Sequence, residues 1–200
     1  VFGRNDILPL WVADMDFKSS PEIIEAIKSR AEHGVFGYPF ASERIFEPFI
    51  EWNKRRNNLN INQEWILTCP GVVIGFTLAV LAFTKEGDGV MIQTPVYPPF
   101  HSSVKKNNRI LVENQLVEEE GYYAIDFEDF ERKIRENNVK LFILCNPHNP
   151  VGRAWTKEEL ERMAEICLKY DVKIFSDEIH SDLILKGHKF NSILSLDEKY

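Results

Sequence analysis

Apolar positions along the chain fall into two rhythms. Short apolar runs at 90–92, 141–145 and 172–175, the last interrupted only by Lys173, alternate with segments whose apolar residues recur every three or four positions. Such runs bounded by turn formers predict strands buried on both faces, and the helical spacing predicts the covering helices. Strand, helix and strand in alternation predict a parallel sheet with right-handed crossovers.

In detail, residues 1–18 read as irregular, with a short extended run at 8–13. A helix is then expected, with Ser20 as N-cap, Pro21 at the first position, Ile23, Ile24, Ile27 and Ala31 on one face, and Gly34 as the stop. A loop follows at 35–40. A second helix is predicted over about 42–56, kinked at Pro48, which lacks a backbone donor. Next come a strand at 65–69, a helix at 72–83, a strand at 90–93, a helix at 97–107 and an extended piece at 109–112. A helix at 126–138, the strand at 141–145, a helix opened by a Thr156–Glu159 capping box and the strand at 172–175 complete the pattern. No internal repeat and no low-complexity stretch occurs.

Composition narrows the class. With 44% hydrophobic residues in 200, the chain can bury a core and is not a disordered segment. Lys plus Arg number 24 against 31 Asp plus Glu, a net charge of −7, which argues against nucleic-acid or anionic-membrane binding. The three cysteines, Cys69, Cys145 and Cys167, are odd in number and far apart, so they suit a reducing cytosol rather than a disulfide framework or a metal motif. No apolar run is as long as a membrane span. The chain opens at Val1, and both ends read as trimmed.

Ligands of such sheets bind outside the carboxyl ends of the strands. Gly71 with Val72 and Val73 follows the strand expected at 65–69 and opens a helix, which is either an anion site or an ordinary strand–helix turn. Tyr97 follows the strand at 90–93 and is either a stacking platform or a core aromatic. The stiff Asn146-Pro-His-Asn-Pro150 run offers Asn149 as a donor, or is simply a loop with two turn formers. Asp177 ends the last strand with no Lys or Arg adjacent in sequence, and a buried carboxylate calls for a cation such as a protonated ligand ring nitrogen. Two other readings of Asp177 are a helix cap or a metal ligand alongside His180, with His148 or His101 assisting. Taken together, the four strand ends describe a phosphate, a flat ring, a phenolic oxygen and a basic ring nitrogen. That combination is pyridoxal 5'-phosphate (PLP), an electron sink for negative charge at a substrate Cα.

Five segments then match a known family in order: Leu8-Pro-Leu-Trp-Val-Ala-Asp-Met-Asp-Phe17, Gly37-Tyr38, Thr94-Pro-Val-Tyr97, Cys145-Asn-Pro-His-Asn-Pro-Val-Gly-Arg153 and Ser176-Asp-Glu-Ile-His180. The chain resembles the class I/II aminotransferase superfamily, fold-type-I PLP enzymes. Within it, the first and last segments are similar to the cystathionine β-lyase and cystalysin-like C–S lyases. The resemblance implies an α/β fold: a three-layer αβα large domain with a mostly parallel sheet. Residues 1–40 would be an amino-terminal arm and part of a small domain, and 41–200 the large PLP-binding domain. It implies phosphate binding by Gly71, Val72 and Val73, stacking by Tyr97, a hydrogen bond from Asn149 to the phenolic oxygen and pairing of Asp177 with the ring nitrogen. His180 would lie beside that oxygen, where many aminotransferases carry a tyrosine. Tyr38 would reach the partner's phosphate in a homodimer, and the Ala13 backbone would meet the substrate carboxylate. The Asn149–Pro150 bond would be cis.

The family's Schiff-base lysine follows its aspartate by a few tens of residues in a Ser-x-Ser-Lys context. None of the fourteen lysines here has that context, Lys186 and Lys189 included, so the chain reads as part of a longer protein and as inactive alone. No catalytic residue and no metal is therefore assigned. The implied activity is α,β-elimination of cystathionine or cysteine, with a sulfur-containing amino acid as substrate and a cytoplasmic location. The alternatives are an aminotransferase on the same site and a non-catalytic PLP-binding regulator or pseudoenzyme.

Overall fold

A computed structural model describes residues 3, 4, 6–8, 13, 15–38, 42–197, 199 and 200. Contacts divide the chain into two compact units, Val1–Ser42 and Glu43–Tyr200. In the first unit α1 (Pro21–His33) begins with Pro21 at N1 and ends at Gly34, whose φ of 71° closes the helix in the left-handed region. Ser20 precedes α1 as expected but makes no side-chain cap bond. Arg30 lies over the Phe36 ring and donates to the carbonyls of Val35 (2.9 Å) and Phe36 (3.1 Å), which fixes the segment after α1. Most of the expected extended run at 8–13 lies outside the described residues.

The second unit contains α2 (Phe46–Asn57), α3 (Val72–Phe83), β1 (Gly89–Thr94), α4 (Pro99–Lys105), β2 (Ile110–Gln115), β3 (Val117–Glu119), β4 (Tyr122–Ala124), α5 (Phe127–Glu136), β5 (Val139–Cys145), α6 (Lys157–Lys169) and β6 (Lys173–Asp177). Four strands form a parallel sheet in the order β2-β1-β5-β6. The chain leaves β1 toward β2, then returns past β1 to build β5 and β6 on its other side. That reversal is a topological switch point between β1 and β5, where open sheets of this type bind ligands.

Side chains alternate along the central strands and fill two cores. Val90, Ile92, Leu141 and Ile143 pack with Phe76 and Val80 of α3 and with Phe100 and Val104 of α4. Met91, Phe142 and Leu144 pack on the opposite face with Phe130 and Ile134 of α5 and with Leu160 and Met163 of α6. Covering both faces is what makes these strands continuously apolar. Gly89 sits at a register shift between β1 and β5, and a Cβ there would lie 2.5 Å from the Asn137 carbonyl oxygen. Glycine is required at that position by the close approach of two backbones.

Three expectations need correction. Residues 66–69 form no strand: a short 3-10 turn, Gln63–Trp65, precedes them, and no strand among the described residues lies beside them to complete a ladder. Pro48 does not fall in the interior of α2, because the helix starts at Phe46 after a 3-10 turn at Glu43–Ile45. That places Pro48 in the first turn, where its missing N–H would have had no helical partner. The helix expected at 97–107 is shorter, Pro99–Lys105, because residues 95–98 form the turn leaving β1. The hairpin of β3 and β4 was not anticipated. Its turn, Glu120-Gly121, carries positive φ at both residues and is the signal that marked it.

Candidate functional site

The carboxyl ends of β1, β5 and β6 carry the site. Asp177 is the last residue of β6 and is 6% exposed. Its carboxylate accepts the Ile179 N–H at 3.2 Å, and its carbonyl accepts the Asn146 N–H at 2.9 Å. Burial raises its pKa above the usual 3.8, against the lowering influence of the Ile179 N–H and of His180. No Lys or Arg forms an ion pair with it among the described residues. The site thus holds a carboxylate that lacks a cation.

The loops after β1 and β5 are bonded to each other across the switch point. The Tyr97 N–H donates to the Asn149 carbonyl at 3.1 Å. The Tyr97 ring is 38% exposed and stands edge-on to Phe100, with centroids 6.4 Å apart. The Asn149–Pro150 bond is cis, as are Thr94–Pro95 and Asn146–Pro147. Asn149 and His180 share one cavity of about 350 Å³, lined also by Leu183 and Leu185; Tyr97, Asp177 and Gly71 are not among its walls.

Gly71 is the N-cap of α3 with a φ of 111°, a backbone state that L side chains rarely adopt, and the space a Cβ would take is open. Val72 and Val73 supply the first N–H groups of α3, which have no partner within the helix. Phe76 joins α3 to the rest of the site: its ring is edge-on to Phe100 at 4.8 Å and to Phe175 of β6 at 6.4 Å. Packing on this one ring brings together the start of α3, the Tyr97 turn and the Asp177 strand end. Ala13 and Tyr38 belong to the first unit, and both are exposed.

Several supporting residues were not singled out from sequence. Glu178 accepts Ser176 Oγ (3.0 Å), Ser192 Oγ (2.8 Å) and the Ile193 N–H (3.0 Å), tying the segment after β6 to the turn at Ile193–Ser195. Arg153 is 8% exposed, binds both Glu159 oxygens at 2.8 Å, donates to the Tyr123 carbonyl and lies against the Tyr122 and Trp155 rings. Glu159 also completes the expected capping box with Thr156. The sequence signal for Arg153 was its position four residues after Asn149, within a segment already marked for its prolines. No group of three or more His, Cys, Asp or Glu side chains suited to a metal exists among the described residues. His101 contacts Glu113 at 3.2 Å, and His148 is spent on the Pro95 carbonyl at 3.0 Å. No helix among the described residues is long and apolar enough to cross a membrane.

The parallel sheet with helices on both faces and polar groups gathered at its switch point has the three-layer αβα architecture of the PLP-dependent transferase fold. The sequence matches the profile "Aminotransferase class I and II" over residues 5–200, and the chain belongs to that family. It is 48% identical to cystathionine beta-lyase PatB of Bacillus subtilis (strain 168), over all of this chain and 52% of that one. Cystalysin of Treponema denticola, whose crystal structure contains pyridoxal 5'-phosphate, superposes with a TM-score of 0.93 at 43% identity, over 98% of this chain and 50% of that one. A PLP-bound protein of Clostridium difficile 630, described as a candidate aminotransferase, gives a TM-score of 0.89 at 52% identity, over 95% of this chain and 49% of that one. The chain spans about half the length of the curated relatives it matches.

Proposed function

We propose that this chain is the cofactor-binding part of a PLP-dependent C–S β-lyase that cleaves cystathionine or cysteine to pyruvate, ammonia and a thiol. The observation that carries this reading is the 48% identity to a cystathionine β-lyase along the whole chain. The site fits the cofactor. It offers a buried carboxylate without a cation, a helix start with free N–H groups and an open glycine face, a half-exposed ring and an amide at the switch point.

Each residue has a role in this reading. Gly71 makes the turn, its own N–H donating to the Cys69 carbonyl at 2.9 Å, and the backbone N–H groups of Val72 and Val73 that follow bind the phosphate, aided by the α3 dipole. Tyr97 gives the ring a flat apolar surface. The Asn149 amide donates to the phenolic oxygen, with His180 beside it. Asp177 holds a proton on the ring nitrogen, because a buried carboxylate is stabilised most by a cation at contact distance. The bound cofactor supplies an electron sink for charge developing at the substrate Cα, and a protonated nitrogen deepens it. Tyr38 serves the phosphate of the neighbouring subunit in a homodimer, and the Ala13 backbone meets the substrate carboxylate. Residues 1–40 act as arm and part of a small domain, and 41–200 as the large domain. The three free cysteines suit a reducing compartment, so we place the protein in the cytoplasm.

The test adds cystathionine to the purified protein that carries this chain, loaded with PLP. Pyruvate release with the cofactor remaining in its aldehyde form is expected. Conversion of the cofactor to its amine form without pyruvate would overturn the lyase reading and favour an aminotransferase. The C. difficile protein, at 52% identity, is the observation behind that second reading.

A further inference from the structure

The Tyr97 and Asn149 loops come from different strands, yet the cofactor reading requires a ring and an amide held in one fixed relation. One backbone bond, Tyr97 N–H to the Asn149 carbonyl, joins them directly. His148 supplies a second link. It is 2% exposed, and its Nε2 lies 3.0 Å from the Pro95 carbonyl oxygen, two residues before Tyr97. A carbonyl only accepts, so the ring proton is on Nε2, and the buried Nδ1 is left bare with no partner. A buried unpaired ring nitrogen is costly, so the imidazole is not an optimal filler of this space.

The structure around His148 is built to hold that ring still. Its own N–H donates to the Arg153 carbonyl at 2.7 Å, and its carbonyl accepts the Gly152 N–H at 2.8 Å. The ring stands edge-on to Trp155 with centroids 5.5 Å apart. Trp155 in turn donates from Nε1 to the Cys145 carbonyl at 3.0 Å, and the Arg153 guanidinium lies 4.6 Å from its ring. Every member of this set is in the loop after β5 or at its base, and His148 alone reaches across to the loop after β1.

We propose that His148 is a positioning residue, whose Nε2–H bond to the Pro95 carbonyl locks the Tyr97 ring against Asn149. Its role toward the cofactor rests on the PLP reading; the lock itself rests on geometry alone. Burial lowers the His148 pKa to about 4, against the raising influence of the Pro95 and Gln93 backbone carbonyls, so at neutral pH the ring has one N–H, and the 3.0 Å contact of Nε2 assigns it to Pro95.

The experiment measures hydrogen exchange at the Tyr97 amide in the purified protein carrying this chain, with and without PLP, for wild type, His148→Phe and His148→Gln. Phe keeps a ring against Trp155 but has no donor. Gln places an N–H near the position of Nε2. Loss of one hydrogen bond predicts exchange roughly tenfold faster in His148→Phe, with His148→Gln back to within about twofold of wild type. The PLP dissociation constant, read from absorbance, should follow the same order. Equal exchange in wild type and His148→Phe would overturn the proposal. A Gln variant no more protected than Phe would overturn it too, by assigning the effect to ring packing. Should His148→Phe fail to fold by circular dichroism, His148→Asn, whose amide stops short of Pro95, takes its place with the same expectation. Failure of wild type to bind PLP, with the exchange order intact, would refute the cofactor reading and leave the lock standing.

Discussion

At the scale of single residues, Asp177 sets up a conflict between stability and binding. Its folded-state pKa is raised by burial, so the folded chain holds the proton more tightly than the unfolded chain does. Stability then falls as pH climbs from the usual carboxylate value through the raised one. Asp177→Asn removes that penalty and keeps an oxygen for the Ile179 N–H. The variant should melt above wild type in the cofactor-free protein at neutral pH, and the gap should close below the usual 3.8, where both side chains are neutral. The same variant should lose most PLP affinity. Melting curves across pH check the first outcome, and a wild type that melts higher at pH 7 would contradict it. Glu178 is also raised by burial, but its three hydrogen bonds give it a structural partner set, which Asp177 lacks.

At the scale of elements, the site is held together by apolar packing behind it. Phe76 of α3 touches Phe100 of α4 and Phe175 of β6, and it is fully buried. Phe76→Ala should cost about 3–5 kcal/mol through the cavity it leaves. It should also weaken PLP binding, although Phe76 lies beneath the site. Thermal unfolding and a PLP titration measured together check this; a stability loss with unchanged affinity would mean the helix start is held elsewhere. The elements also explain which sequence signals held. The helix at Val72–Phe83 was legible at both ends because Gly71 and Thr84 bound a predominantly apolar run. The strand expected at 65–69 was not realised, because its apolar residues mark burial potential while a strand needs a neighbour's backbone. Pro48 was misplaced by a few residues, the usual uncertainty of a helix start, and that shift changes a kink into a permitted first-turn proline.

At the scale of the whole molecule, the chain has a cofactor cradle in the proposed reading but no lysine in the family's Schiff-base context. Lys186 and Lys189 follow Asp177 and are exposed in the segment before Ser192. Residues 1–200 expressed alone should therefore release no pyruvate from cystathionine, while a nucleophilic amine is what the covalent step requires. Detectable turnover by that polypeptide would show that another amine serves.

Sequence by itself determined the alternation of strands and helices, the sheet's parallel sense, the capping box at Thr156 and the identity of Tyr97, Asn149 and Asp177 as strand-end residues. These are local properties, fixed by periodicity and by the chemistry of a few positions. Tertiary structure alone decided the order β2-β1-β5-β6, hence the switch point, and the supporting roles of Phe76, His148, Arg153 and Glu178. Those depend on contacts between residues tens of positions apart, and a side chain's type gives no indication of which distant carbonyl or ring it will meet. The bare Nδ1 of His148 makes the point: a histidine between two Asn-Pro pairs reads as a turn residue until the Pro95 carbonyl is found against it.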